Sequence, residues 1–260
     1  MKKRTKIIIG AIVLIAVALG VIIPIMNSKG MFAKGNNEEY SAANAEVFEN
    51  SPLKGKTFIF LGSSVTRGAA SHDESFVDYL AAQDGITAVK EAVSGTTLVD
   101  NGEKSYISRM KTIDKDIEAT AFICQLSTND ATKKLPVGEI STSFNKEDFD
   151  TQTVAGAIEY IICYAQETWH CPVIFYTGTK YDSERYAELV ELLDGICEKW
   201  DIGLIDLWNS SINDISKDRY SFYMADGIHP VRAGYRDWWT PAIRDYLYNN
   251  PNICDILPPM

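Results

Sequence analysis

Two short segments, far apart in the chain, hold the residue types that acyl-transfer chemistry requires. Gly62-Ser63-Ser64-Val65 follows the apolar run Thr57-Phe58-Ile59-Phe60-Leu61, so a serine stands in a tight turn at the end of a strand-like stretch. Asp226-Gly227-Ile228-His229-Pro230 lies near the C-terminus and sets a histidine three residues after an aspartate. A serine hydroxyl is a weak nucleophile at neutral pH. It needs a base within hydrogen-bond reach, and that base needs a partner that fixes its tautomer and stabilises the imidazolium form. In a non-helical turn, the three-residue offset lets the Asp226 carboxylate fold back on Nδ1 of His229 and leaves Nε2 to face Ser64. The order Ser…Asp…His is also that of α/β-hydrolases, but their serine sits in Gly-x-Ser-x-Gly. The context Gly-Ser-Ser-Val does not support that family.

Such residues converge only if the chain between them folds back repeatedly. The stretches 57–61, 87–93, 120–126, 172–177 and 203–207 read as strands, most of them rich in Ile, Val, Phe or Tyr and bounded by Gly, Pro, Asp or Asn. Residues 74–83, 152–168 and 184–200 carry apolar side chains at helical spacing. A last helix is predicted from about Arg232 to Tyr248, kinked or split at Pro241. Alternation of strand and helix implies an α/β domain with a parallel sheet of about five strands, covered on both faces. Function in such sheets collects at the carboxyl ends of the strands. Ser64 follows the first strand, Asn129 the third, and Asp226 and His229 the fifth, all on that edge.

These segments together resemble the SGNH (GDSL-type) esterase/lipase superfamily over residues 57–248, through four blocks in order. Gly62-Ser63-Ser64-Val65 matches the Gly-Asp-Ser-Leu block, with Ser64 at the nucleophile position. Ala92-Val93-Ser94-Gly95-Thr96-Thr97 matches the glycine block, whose Gly95 offers its backbone N–H to an oxyanion. Ser127-Thr128-Asn129-Asp130 matches Gly-x-Asn-Asp, with Asn129 as a side-chain oxyanion donor. Asp226-Gly227-Ile228-His229-Pro230 matches Asp-x-x-His-Pro. The resemblance implies a flavodoxin-like three-layer α/β/α sandwich. It also implies a catalytic Ser64, Asp226 and His229, and an oxyanion hole formed by Ser64 N–H, Gly95 N–H and Asn129 Nδ2. One such donor is typically worth about 3–4 kcal/mol of barrier. Two positions depart from the pattern: Ser63 replaces the acidic residue before the nucleophile, and Ser127 replaces the glycine of the third block. The latter puts the backbone geometry of that turn in question.

Other candidates have plainer readings. His72 lies in a polar loop and His170 at a helix end. Asp130 is expected to hold its turn together, Arg67 to be a solvated first-turn residue, and Trp238 and Trp239 to be core. The three histidines are far apart in sequence, so no metal is expected, and ester hydrolysis through an acyl-enzyme needs no cofactor. The five cysteines (Cys124, Cys163, Cys171, Cys197 and Cys254) form no Cys-x-x-Cys motif and read mainly as buried free thiols, with a Cys163–Cys171 bridge as the unsupported alternative.

The N-terminus has a different character. Residues 7–26 form an uncharged apolar run, about 30 Å long as a helix, the thickness of a bilayer's hydrocarbon core. Before it stand Lys2, Lys3, Arg4 and Lys6. The expected layout is a cytoplasmic basic tail (1–6), a single transmembrane signal-anchor (7–26), an extracytoplasmic linker (27–52) and a hydrolase domain (53–260) outside the membrane. The rival is secretion after cleavage behind Ala43-Asn44-Ala45, a small-x-small site well past the apolar run. Beyond residue 26 the chain holds 21 Lys and Arg against 35 Asp and Glu. That acidity disfavours nucleic acid as a partner.

The expected activity is hydrolysis of short-acyl, acetyl-type esters, such as acylated glycans. Two loops expected near the site, 131–151 and 178–185, are polar, and the first is expected to overhang it. Two alternatives stand beside this reading: a cell-envelope O-acyltransferase working with the same three residues, and a non-catalytic surface-binding module.

Overall fold

The β1 strand, Thr57–Gly62, alternates its side chains between two buried layers. Phe58 and Phe60 enter one core and Ile59 and Leu61 the other. A strand covered on both faces must be apolar at nearly every position, which explains the unbroken apolar run. The computed structural model describes Gly30 and residues 33–250.

After β1 come α1 (Ser64–Arg67), α2 (Phe76–Asp84), β2 (Thr87–Ala92), α3 (Tyr106–Met110) and β3 (Ala121–Gln125). The chain continues through α4 (Thr128–Thr132), α5 (Val154–Trp169), β4 (Val173–Tyr176), α6 (Glu184–Trp200), β5 (Gly203–Ile205) and α7 (Lys217–Tyr223). It ends in α8 (Arg232–Gly234), a π-helical turn (Tyr235–Trp239) and α9 (Thr240–Asn249). The five strands pair in parallel in the order β2-β1-β3-β4-β5. Helices α3, α5 and α6 cover one face, and α2, α7 and the C-terminal helical segment cover the other. This is the three-layer α/β/α sandwich expected from the sequence.

The strand order reverses direction between β1 and β3, which opens a crevice at their carboxyl ends. The register brings those ends level, Leu61 lying beside both Glu91 and Cys124. The loops after β1, β2 and β3 therefore emerge side by side.

The last helix is split, and the manner of the split is specific. Pro241 has no N–H to give to the carbonyl four residues back. The chain takes up π geometry over Tyr235–Trp239 just before it, and regular helix resumes at Thr240. Trp238 and Trp239 are both buried, as expected for core residues.

Two expectations about the chain's periphery do not hold. Residues 33–50, expected to belong to a linker, lie against the domain in three 3₁₀ turns, Lys34–Asn36, Glu38–Tyr40 and Ala42–Asn44. Tyr40 meets Phe222 edge-on at 5.6 Å, and the Arg236 guanidinium lies over the Tyr40 ring. Phe48 N–H donates to the Gln83 carbonyl at 2.7 Å, and Arg244 lies over the Phe48 ring. The segment is polar in composition, but its few apolar residues and its amides find specific partners. Apart from Lys133, whose Nζ reaches the Gly95 carbonyl, the loop over 131–151 does not overhang the β-strand ends either. It runs along α5 and α6, where Phe144 and Phe149 pack edge-on against Trp200. Lys199 Nζ donates there to the carbonyls of Ser141 and Ser143 and to the fully buried carboxylate of Glu159. A buried carboxylate must be paired, and the loop closes over that pair.

Among the described residues no helix is long and apolar enough to cross a membrane. The apolar run 7–26 lies outside the described residues, as does Cys254. The other four cysteines are free and buried. Burial pushes the Cys163 thiol up to about 11 and those of Cys171 and Cys197 to about 12, so these sulfurs stay protonated and unreactive at neutral pH.

Candidate active site

Ser64 opens α1 directly beyond β1, and only 7% of its surface is exposed. The turn that presents it is built from a hidden network. Gln125, at the end of β3, accepts hydrogen bonds at Oε1 from Ser63 N–H (2.9 Å) and from the Thr66 hydroxyl (2.8 Å). The Thr66 hydroxyl also pairs with the Tyr176 hydroxyl at 2.6 Å. Gly62 is required here, because a Cβ at that position would lie 1.7 Å from Thr66 Oγ1. Ser63, which stands where the family pattern has an acid, is fully buried and held by Gln125 through its backbone.

The loop after β5 and α7 brings the other two residues across. It is cinched at its base by Ala225 N–H donating to the His229 carbonyl and by an antiparallel bridge between Met224 and Pro230. Inside it, Asp226 Oδ1 accepts the backbone N–H groups of Ile228 (2.7 Å) and His229 (2.8 Å). Both carboxylate oxygens lie near His229 Nδ1, at 2.9 and 3.0 Å. His229 Nε2 stands 2.8 Å from Ser64 Oγ. Residues 165 positions apart are thus in direct hydrogen-bond contact. Burial of Asp226 would raise its pKa, but the hydrogen bond and charge of His229 and the two backbone donors outweigh it and hold the carboxyl below its ordinary range. With Nδ1–H donating to an ionised Asp226, Nε2 presents its lone pair to the serine hydroxyl.

Gly95 and Asn129 face the same cleft. Gly95 sits at the exposed apex of the loop after β2 with φ +80°, in the left-handed region that suits glycine. Lys133 Nζ donates to its carbonyl at 2.8 Å. Asn129 lies in the first turn of α4, and its Nδ2 donates one hydrogen to the Thr96 carbonyl at 2.9 Å, leaving the second free. Ser127 is at φ −74°, so the turn needs no glycine. Its hydroxyl caps α4 by accepting from the N–H groups of Asn129 and Asp130. Asp130 holds the turn as expected, accepting Leu98 N–H at 2.9 Å and Val99 N–H at 3.1 Å and so tying the β2 and β3 loops together.

The cleft of about 350 Å³ is lined by Ser64, Ala69, Ala70, Ser94, Gly95, Asn129, Asp226 and His229. Ser64, Asp226 and His229 were singled out by type and spacing, and Gly95 and Asn129 by the family resemblance. Arg67 is paired with Asp73 through two hydrogen bonds at the surface. His72 and His170 stand apart from the cleft; each has positive φ, and His170 caps the C-terminus of α5.

Arg109 was not visible in the sequence. It is nearly buried, and its Nη2 donates to the Gly62 carbonyl (2.8 Å) and to Thr96 Oγ1 (3.0 Å). Nη1 reaches the Glu91 carbonyl at 3.1 Å. One guanidinium thereby joins the end of β1, two residues before Ser64, to the loop that carries Gly95. No sequence pattern signals it, because all these contacts are non-local.

The model of the GDSL-like lipase/acylhydrolase family matches residues 60–236. The chain belongs to that family. It is a serine hydrolase acting on carboxylic ester bonds. Solved structures share the fold. A protein of Lactobacillus plantarum is 19% identical with TM-score 0.64, covering 75% of this chain and 97% of its own. A GDSL-family protein of Bacteroides ovatus is 17% identical with TM-score 0.57, covering 76% and 100%. One of Desulfitobacterium hafniense is 16% identical with TM-score 0.57, covering 74% and 100%. No curated protein matches the chain.

Proposed function

We propose that this GDSL-family hydrolase is a membrane-anchored, extracytoplasmic esterase for short acyl groups. Ser64 is its nucleophile, His229 its general base and acid, and Asp226 the residue that orients the base. The observation that carries the reading is the unbroken contact Ser64 Oγ–His229 Nε2–Asp226, at 2.8 and 2.9 Å, on a cleft shared with Gly95 and Asn129.

That geometry supports acyl transfer through Ser64. Ser64 Oγ attacks the ester carbonyl carbon while its proton moves to Nε2. The carbonyl oxygen becomes an oxyanion and meets the N–H of Ser64, the N–H of Gly95 and the second hydrogen of Asn129 Nδ2. Ser64 N–H is available because first-turn N–H groups have no intrahelical acceptor. Collapse breaks the bond to the leaving alcohol, which takes the proton from Nε2. Water then repeats the cycle on the acyl-enzyme, and Ser64 recovers its proton.

The walls favour a small acyl group. A cleft of about 350 Å³ walled by Ala69, Ala70, Ser94 and Gly95 has room for little more than a short acyl group. Each further CH₂ contributes about 0.8 kcal/mol only if it leaves water. Values of kcat/KM for p-nitrophenyl acetate, butyrate, octanoate and palmitate should therefore stay level or fall with chain length. A series rising toward octanoate would remove the short-acyl assignment.

The anchored location rests on the run 7–26, its basic flank and the docking of residues 33–50. Cleavage behind Ala45 would strip Asn36 and Tyr40 from the domain they pack on. Four chain steps separate Met26 from Gly30, about 14 Å at full extension. An anchored chain would hold the Ala70 wall of the cleft close to the bilayer surface, since Asn36 Nδ2 binds the carbonyls of both Gly30 and Ala70. Cell fractionation with N-terminal sequencing should find the intact chain in the membrane fraction. A soluble product beginning near Glu46 would overturn the anchor.

A further inference from the structure

We propose that Asn36 is a positioning residue of the active site, and that the N-terminal segment around it is a working part of the catalytic domain. The proposal rests on the assignment of Ser64 and His229 as nucleophile and base. Asn36 lies outside the family-matched region, yet it is 7% exposed and its amide is fully engaged. Nδ2 donates to the carbonyls of Ala70 (2.7 Å) and Gly30 (2.8 Å). Oδ1 accepts the backbone N–H of Arg232 at 2.8 Å.

The two ends of that clasp belong to the segments that follow Ser64 and His229 respectively. Ala70 lines the cleft beside Ala69, whose N–H donates to the Ser64 carbonyl at 3.0 Å. Arg232 is the first residue of α8, three positions after His229. Its N–H is one of the orphan donors of a helix start, and Val231, the N-cap residue, supplies no side-chain acceptor. Asn36 supplies it from a distant part of the chain. The covalent path from His229 through Pro230 and Val231 to Arg232 is thereby pinned to the wall behind Ser64. Val231 is also fixed by its N–H to the Tyr223 carbonyl (2.9 Å). Neighbouring Gly35 is wedged against the same region, since a Cβ there would lie 2.5 Å from the Phe222 carbonyl and 2.6 Å from Val231. The Glu74 carboxylate reinforces the link, accepting both Ala42 N–H and Arg232 Nη2.

A contact made through two backbones sets the Ser64–His229 distance without touching substrate. Its loss should reduce the fraction of molecules with Nε2 in line with Oγ. That lowers kcat and leaves ground-state binding alone, since a misplacement of about 1 Å can cost 10²-fold. The test uses the full chain and two variants. Asn36→Ala removes all three bonds. Asn36→Asp is isosteric and keeps the acceptor for Arg232 N–H, but it loses the donor to Ala70 and faces that carbonyl with charge. The kinetics of p-nitrophenyl acetate hydrolysis and the rate of fluorophosphonate labelling are measured well below each variant's melting temperature.

Both variants should show kcat and labelling rate reduced by about tenfold or more, with KM changed less than about twofold. A variant that melts lower but keeps wild-type kcat and labelling rate while folded would reduce Asn36 to a structural tie and overturn the proposal. Should Asn36→Ala fail to fold, Asn36→Asp alone decides by the same criterion. The underlying assignment has its own separate readout: activity retained by Ser64→Ala would remove the nucleophile, whatever the Asn36 variants do.

Discussion

Ser64→Ala should lower kcat for p-nitrophenyl acetate by about 10⁴-fold or more while leaving the fold intact. The substitution deletes one oxygen whose side-chain partner is His229 Nε2, and the turn that carries it is held by Gln125, Thr66 and Tyr176 instead. Far-UV circular dichroism and melting temperature should therefore match wild type. Residual activity within tenfold of wild type would end the assignment. His229→Ala should be as severe, because neither His72 nor His170 lines the cleft and can take over as base. Asp226→Asn should be milder than His229→Ala, and its defect has a specific origin. An asparagine oxygen can still accept the N–H groups of Ile228 and His229, so the loop keeps its shape. Its NH₂ group, however, would oppose Nδ1–H and favour the tautomer with the proton on Nε2, pointing at the serine. The sign of the Asp226 shift bears on pH. Its folded-state pKa is depressed, so its stabilising contribution is complete above the unfolded carboxylate value and is lost as pH falls through the lower folded value. Around neutral pH Asp226 is fully ionised, and activity changes there report on other groups.

The sheet was legible because buried parallel strands need nearly unbroken apolar runs, and Thr57–Gly62 and Ala121–Gln125 have them. Helices α5 and α6 were legible because sixteen and seventeen residues give the helical period room to repeat. The four- to seven-residue helices α1, α3, α4 and α7 were not, since each is about one to two turns and ends before a period can be read. Ser64, Asp226 and His229 could be read because type and spacing within short local blocks suffice for them, and Gly95 and Asn129 because their blocks resemble the family pattern. What escaped was everything tertiary. The linker reading of 27–52 failed over 33–50 because polar composition says nothing of an amide such as Asn36 meeting three backbone groups from Gly30, Ala70 and Arg232. The overhanging-loop reading failed for the same reason. Polar composition did not disclose that Glu159 and Lys199 would draw the 141–143 backbone onto α5 and α6. Arg109 is the third case, a buried charge whose partners include the Gly62 carbonyl at the end of β1, the Glu91 carbonyl and carboxylate in β2 and the Thr96 hydroxyl in the loop after it.

Asn129→Ala should reduce kcat by about 10²–10³-fold with little change in KM. A donor aimed at a developing oxyanion gains strength as charge builds, so its loss falls on the transition state rather than on substrate binding. The side chain is already oriented for that task. Its bond to the Thr96 carbonyl fixes the amide plane and takes one Nδ2 hydrogen. Thr96 is in turn held by its hydroxyl to the Val93 carbonyl and by Arg109, so the acceptor that orients Asn129 does not drift. The alanine variant should still fold, because Ser127 and Asp130 keep the cap and the cross-loop ties without the amide. Asn129→Asp should be worse than alanine. A carboxylate there would face the Thr96 carbonyl with no donor and place negative charge beside the oxyanion it ought to stabilise. The two variants thus separate a donor from a spacer: kcat for aspartate below that for alanine, both well below wild type, is the expected order. Wild-type kcat in Asn129→Ala would leave the oxyanion to the N–H groups of Ser64 and Gly95 alone.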